Sequence, residues 1–272
     1  MSVKENILDR VQEHKKYVEK EYGKENLFFT ALQGSQNYNL DDDFSDIDTK
    51  SLLLPTLDSF IYARKEPSYT LILPNNEHAD VKDFRDMFDM FRKQNINFVE
   101  ILFSPYACVN KDWEWFYSAL TSKAEEIAHY NRYTTLESML GHLHQKAKKF
   151  YDKTVTTESI VNKYGYDPKQ LHHMVRIQDF LIRYVKDEPY RNILEKSSDI
   201  DYIKGVKKGY YSLKEAEKIR DTILFWARDF EDRWSQKLVN ENDPAVEKFL
   251  NELQRDICIK RMREVSLNYY AS

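Results

Sequence analysis

The chain has 272 residues, enough for one large or two modest domains, each with its own hydrophobic core. Its 42% apolar and 32% charged residues describe a globular protein with a heavily charged surface, and only 6 glycines and 7 prolines leave little room for long flexible linkers. The net charge of −4 excludes a general nucleic-acid coat protein but allows a local basic groove. Two cysteines, Cys108 and Cys258, make no disulfide framework. With no signal-peptide pattern at the start and no apolar run long enough to span a bilayer, a cytoplasmic protein with no membrane partner is expected.

Residues 4–22 place Ile7, Val11 and Val18 at helical spacing, which predicts an amphipathic helix. NLFFTALQGS then reads as a buried strand ending at Gly34 and Ser35, and IDTKSLLLP as a second strand stopped by Pro55. YTLILP and HADVKDF predict two further extended segments. A helix from Asp83 follows, with Phe84, Met87, Phe88 and Phe91 on one face and Asp83 and Asp86 in a capping-box arrangement. NFVEILFSP reads as another strand. Beyond about residue 111 the strand signals stop. Residues 112–152, 168–187, 212–238 and 244–264 read as helices, with an N-cap at Asp167 ahead of Pro168 and a capping box from Ser212 to Glu215. The expected fold is therefore α+β: an N-terminal mixed sheet with flanking helices over residues 1–125, and an all-helical domain over 126–272.

The chemistry concentrates between Gly34 and Asp48. Strand alternation sends Asp46, Asp48 and Lys50 to one face, and Ile47, Thr49 and Ser51 to the other. Two neighbouring carboxylates repel unless a cation lies between them, and magnesium favours such hard oxygen ligands together with substrate phosphates. A strand ending in Gly34-Ser35 and entering a helix offers backbone N–H groups and a hydroxyl to phosphate oxygens. A phosphate cradle ahead of Asp-x-Asp outlines a phosphoryl-transfer site. Asp41, Asp42 and Asp43, although denser in charge, read as loop and cap residues.

This pattern, with Ser45-Asp46-Ile47-Asp48 behind Gly34-Ser35, resembles the signature of the DNA polymerase β-like nucleotidyltransferase superfamily. Within it, Gly-Ser-x-x-Tyr-x-Leu at Gly34–Leu40, NFVEILFSP and GYDPKQLHHMVR resemble a group of predicted bacterial and phage nucleotidyltransferases sometimes linked to RNA repair. The likeness spans roughly residues 28–225. It implies a transfer of a nucleoside monophosphate from a nucleoside triphosphate to a hydroxyl, an RNA 3′ end such as that of tRNA being favoured, with release of pyrophosphate. It implies two Mg2+ ions, or Mn2+ in their place, held by Asp46, Asp48 and a third carboxylate.

For that third position Asp80 is preferred, because HADVKDF read as a strand puts His78, Asp80 and Lys82 on one face; Glu77 and Glu100 are the alternatives. Asp80 is also the candidate to help deprotonate the acceptor. Gly34, Ser35 and Lys50 are expected to bind the nucleotide. So are Lys169, His173 and Arg176, a polar stripe that matches the group's Lys-x-x-x-His-x-x-Arg and is expected to close over the triphosphate from the helical domain. His172 lies one residue off that stripe. His142 and His144 do not share a helix face and are not read as a zinc pair. Cys108 reads as a small buried hydrophobe. Lys146, Lys148 and Lys149 on a helix, and Lys204, Lys207 and Lys208 in a loop, are candidate RNA contacts. The competing reading is a non-catalytic nucleotide binder or antitoxin-like protein of the same fold, or an enzyme that modifies a protein or a small molecule.

Overall fold

The computed structural model describes residues 3–41 and 45–271, so Asp42 and Asp43 lie outside the described residues. In chain order the elements are α1 (Val3–Tyr22), β1 (Leu27–Gln33), β2 (Asp48–Leu53), α2 (Leu57–Ile61), β3 (Tyr69–Ile72), β4 (His78–Asp83), α3 (Phe84–Arg92), α4 (Ile96–Val99) and β5 (Ala107–Val109). Only helices follow among the described residues: α5 (Glu114–Ser122), α6 (Ala124–Ala128), α7 (Arg132–Lys148), α8 (Glu158–Tyr164), α9 (Pro168–Tyr184), α10 (Tyr190–Glu195), α11 (Ile200–Lys207), α12 (Leu213–Ser235) and α13 (Pro244–Ala271). The fold is α+β, with a five-stranded mixed sheet and a helical C-terminal region. No helix among the described residues is long and apolar enough to cross a membrane.

The chain forms two compact units. The first takes in Met1–Asn37, Asp41–Tyr130 and Asn242–Ser272; the second takes in Tyr38–Leu40 and Asn131–Glu241. The C-terminal helix α13 therefore belongs with the sheet. It is tied there by Arg92, whose Nε donates to Glu247 Oε1 at 3.1 Å, and by Arg261, whose Nε donates to the Pro55 carbonyl at 2.9 Å.

The sheet order is β3-β4-β2-β1-β5, with β2 and β4 parallel and the other pairs antiparallel. The apolar stripe of α1 covers one face. Val18 packs with Leu27, Leu53, Ala79 and Val81, while Ile7 and Val11 pack with Leu32, Ile47 and Tyr106. Burial of these side chains, each contributing about 1.5–3 kcal/mol, fixes which face of β2 and β4 looks inward. Asp83 caps α3 by accepting from the Arg85 N–H, and Ser212 and Glu215 form the capping box of α12.

Three local expectations are corrected. NFVEILFSP is helical, not a strand: α4 is capped by the Asn95 side chain, and Glu100–Leu102 continues as a 3-10 turn. An apolar run this short carries no period that separates strand from helix, and the cap at Asn95 decides it. The strand that flanks β1 is instead β5. Lys204 and Lys207 lie on α11 rather than in a loop. Gly34-Ser35 leads not into an α-helix but into one 3-10 turn, Ser35–Tyr38, which aligns far fewer backbone dipoles than a full helix.

Candidate functional site

The β1/β2 register sets Gln33 opposite Asp48, so Gly34 and Ser35 begin beside the start of β2. Gly34 has φ +132°, a backbone that disfavours any L side chain, and it lets the chain turn sharply off the strand. The turn is fastened by Gln36, whose Nε2 donates to the Asp46 carbonyl at 2.8 Å, and by Asn37, whose Nδ2 donates to the Leu32 carbonyl at 2.9 Å. Ser104 Oγ donates to Asn37 Oδ1 at 2.9 Å.

The parallel pairing of β2 and β4 sets Lys50 opposite Asp80. By alternation one sheet face carries Asp48 and Lys50 from β2 with His78, Asp80 and Lys82 from β4. Lys50 Nζ donates to Asp80 Oδ2 at 2.5 Å, and Lys82 Nζ lies 3.0 Å from Asp80 Oδ1. His78 Nδ1 lies 3.3 Å from Asp48 Oδ1. The side chain of Asp48 is 50% exposed, that of Asp80 26% and that of Lys50 only 3%. Asp46 stands two residues before β2 and is exposed. Lys50, expected to meet the nucleotide, is instead buried against the Phe98 ring, its Nζ 4.4 Å from the centroid. Burial draws its ammonium below the ordinary lysine value, with Asp80 acting in the opposite sense.

Glu77, an alternative third carboxylate, sits on the opposite, α1-facing side and is buried. Its Oε1 accepts the Ile47 N–H at 2.7 Å, and its Oε2 accepts from His14 Nε2 at 3.1 Å and Asn75 Nδ2 at 2.7 Å. Arg10 completes the set as an ion-pair partner. Burial, reinforced by Arg10, lowers the His14 pKa to about 4. The imidazole is therefore neutral, with its proton on Nε2 toward Glu77 and with Nδ1 accepting from Thr49 Oγ1 at 2.9 Å. The residue between the two aspartates is thus held by a buried carboxylate, an arrangement the sequence reading did not find. Its one signal is His14 itself, which falls in the apolar stripe with Ile7, Val11 and Val18. Glu100 is buried on the turn after α4 and lies near Lys50.

The second unit holds the other sequence candidates. On α9, Lys169 is exposed and His173 is half-buried, its pKa driven well below the ordinary histidine value by burial. The Arg176 guanidinium lies 3.4 Å from the centroid of the Tyr38 ring. The segment Tyr38–Leu40 is held further by Asn39 Nδ2, which donates to the Glu195 carbonyl at 2.8 Å, and by Lys207 Nζ, which donates to the Leu40 carbonyl at 3.0 Å. Arg176 and Lys207 thus secure a loop. His172 is buried and bonded to the Ile203 carbonyl, and burial lowers its pKa to about 4. Cys108 is half-buried beside the Ile7 and Val11 cluster, and burial raises its thiol pKa.

The carboxylate oxygens of Asp46 and Asp48 are hard donors with solvent access, and their chemistry fits one divalent cation. Asp80, the third carboxylate of the sequence reading, is 26% exposed and has an ammonium group on each of its oxygens. Among the described residues no group of three or more His, Cys, Asp or Glu side chains is arranged to hold a metal ion. Compared with protein-family models and with curated proteins, the chain matches none.

Proposed function

We propose that the chain is a metal-dependent nucleotidyltransferase of the DNA polymerase β type, moving a nucleoside monophosphate from a nucleoside triphosphate to a hydroxyl. The observation that carries this reading is the register that gathers Gly34-Ser35, Asp48 and Asp80 on adjoining strands, with Asp46 just ahead. Asp46 and Asp48 would hold the cation, which when bound neutralises phosphate charge and polarises the α-phosphate. The hydroxyl of Ser35 and the backbone N–H groups of its turn face the triphosphate and orient it, and Gly34 lets the backbone come close. Lys50 and Lys82 hold Asp80 in place and add positive potential where negative charge accumulates. Glu77 holds the Ile47 N–H and so keeps both aspartates in register. An RNA 3′ end is the favoured acceptor on the motif likeness, with Lys146 and Lys148 of α7 and Lys149 just after it as candidate backbone contacts.

The test is incubation with each α-labelled triphosphate, Mg2+ and total cellular RNA, beside Asp48→Asn. Label entering RNA with equimolar pyrophosphate release, lost in the variant, supports the reading. Triphosphate binding without pyrophosphate release from any acceptor refutes it in favour of a non-catalytic nucleotide binder, the reading that a lysine-capped Asp80 favours.

A further inference from the structure

We propose that Arg176 is a positioning residue for the turn Ser35–Tyr38: stacked on Tyr38, it fixes that turn and so sets the affinity for a triphosphate without touching the nucleotide itself. This rests on the nucleotidyltransferase reading above. A 3-10 turn this short holds itself weakly, because its hydrogen bonds are few and poorly aligned. Here the Asn37 N–H donates to the Gly34 carbonyl at 3.1 Å. What grips the two ends of the turn therefore decides its shape.

The first unit grips the front of the turn. Gln36 Nε2 donates to the Asp46 carbonyl at 2.8 Å, and Asn37 Nδ2 donates to the Leu32 carbonyl at 2.9 Å. From the next residue the chain belongs to the second unit, over Tyr38–Leu40, and at Asp41 it rejoins the first. Tyr38 and Leu40 are both buried, 4% and 1% exposed. Between them Asn39 takes φ +57°, a left-handed conformation that asparagine tolerates better than most residues. Lys207 of α11 donates to the Leu40 carbonyl at 3.0 Å, and Asn39 Nδ2 donates to the Glu195 carbonyl at 2.8 Å. Both of these contacts lie beyond the turn. The contact from α9 falls on the turn itself, with Arg176 Cζ 3.4 Å from the centroid of the Tyr38 ring. A cation over a ring is worth most where the pair is withdrawn from water, and the planar guanidinium suits such a stack. Tyr38 ends the turn that Ser35 opens. Loosening the stack therefore loosens the hydroxyl and backbone N–H groups that orient the triphosphate.

The test is a double-variant cycle on the full chain with two readouts. One is calorimetric affinity for an α,β-methylene triphosphate analogue in Mg2+; the other is amide hydrogen exchange of residues 35–40, read by mass spectrometry. Arg176→Ala is expected to weaken the analogue by about 5- to 30-fold, the worth of a cation over a largely desolvated ring, and to speed exchange in that segment. Tyr38→Leu leaves the guanidinium in place and is expected to do the same. The Arg176→Ala/Tyr38→Leu double variant is expected to be no worse than either single variant, because both remove one shared interaction. Arg176→Lys, which keeps a cation for the ring, is expected to recover most of both losses. Should Tyr38→Leu fail to fold by circular dichroism, Lys207→Met takes its place: it releases the Leu40 carbonyl and is expected to lower affinity and speed exchange in the same segment. Full affinity in Tyr38→Leu, or in Lys207→Met where it is used, beside a loss in Arg176→Ala makes Arg176 a direct phosphate contact and overturns the inference. Additive losses in the double variant, or unchanged exchange in the single variants, overturn it as well, and in each case the nucleotidyltransferase reading stands. An analogue that does not bind the wild type overturns both.

Discussion

Replacing Glu77 by Gln removes a charge from a site built around it. Glu77 accepts from Ile47 N, His14 Nε2 and Asn75 Nδ2 and pairs with Arg10, while only 2% of its side chain is exposed. Gln has the same shape, but its NH2 group must face at least one of these donors. That leaves one buried donor without an acceptor, and the remaining contacts lose their charge assistance. Breaking a buried ion pair costs about 3–5 kcal/mol when the surviving charge stays buried. The Arg10 side chain is 33% exposed and can return to water, so the expected loss is about 2–3 kcal/mol. In thermal unfolding followed by circular dichroism this corresponds to a drop of roughly 5–10 °C in Tm. The exposed Glu13→Gln on the same helix is the control, expected within about 0.5 kcal/mol of wild type. The Ile47 N–H held by Glu77 lies between Asp46 and Asp48, so Mg2+-dependent turnover should fall by about 10- to 100-fold at temperatures where the variant is still folded. A Glu77→Gln protein that matches Glu13→Gln in both stability and turnover would refute the positioning role.

Three further outcomes are expected. Asp48→Asn should abolish Mg2+-dependent pyrophosphate release while its circular dichroism stays that of the wild type, since Asp48 is half exposed with His78 beside it. Ser35→Ala should weaken triphosphate binding by about 1.5–3 kcal/mol, the worth of one hydrogen bond to a charged group, measurable by calorimetry; unchanged affinity returns Ser35 to the role of a turn residue. His14 has a folded pKa of about 4, below its ordinary 6.5, so between these values the folded state binds fewer protons than the unfolded one. Stability is then full above pH 6.5 and falls as the pH drops toward 4, by about 1.4 kcal/mol per pH unit for this one proton. Urea unfolding at pH 7 and pH 5 should show that loss, reduced by one proton's share in His14→Gln; equal slopes in the two proteins would refute a neutral buried His14.

Much of the sheet was legible because its signals are local. Apolar runs bounded by Gly34, Pro55 and Pro74 mark strands, and Asp83 marks the helix that follows. Alternation alone separates Asp48 and Lys50 from Ile47 and Thr49, and the structure keeps that division. Whatever depends on partners distant in sequence was not legible. The mutual engagement of Lys50 and Asp80 spans 30 residues, that of His14 and Glu77 spans 63, and the return of Arg261 to Pro55 spans 206. No periodicity encodes such pairings. Lys50 therefore read as a free cation ready for phosphate, and Glu77 as a spare ligand. The Asn95–Leu102 stretch failed differently: Phe98, Val99, Ile101 and Leu102 are buried, but buried residues this closely spaced suit a strand and a tight helix equally.

The same strands carry two opposed sets of charge, and that fixes the register more firmly than apolar packing alone. Along β4 and the residue before it, Glu77, Ala79 and Val81 face α1 while His78, Asp80 and Lys82 face away. Along β2 and the residue before it, Ile47 and Thr49 face α1 while Asp48 and Lys50 face away. A slip of one residue in either strand would turn every side chain over. It would drive Asp48 or Asp80 against Val11 and Val18, and send Ala79 and Val81, or Ile47, into water. Lost apolar burial costs a few kcal/mol, and each carboxylate buried without its partner costs several more. Glu77 tolerates burial only because Arg10, His14, Asn75 and the Ile47 N–H all meet it there. The inward polar cluster therefore recognises one register, and that register holds Asp48 and Asp80 on the outward face.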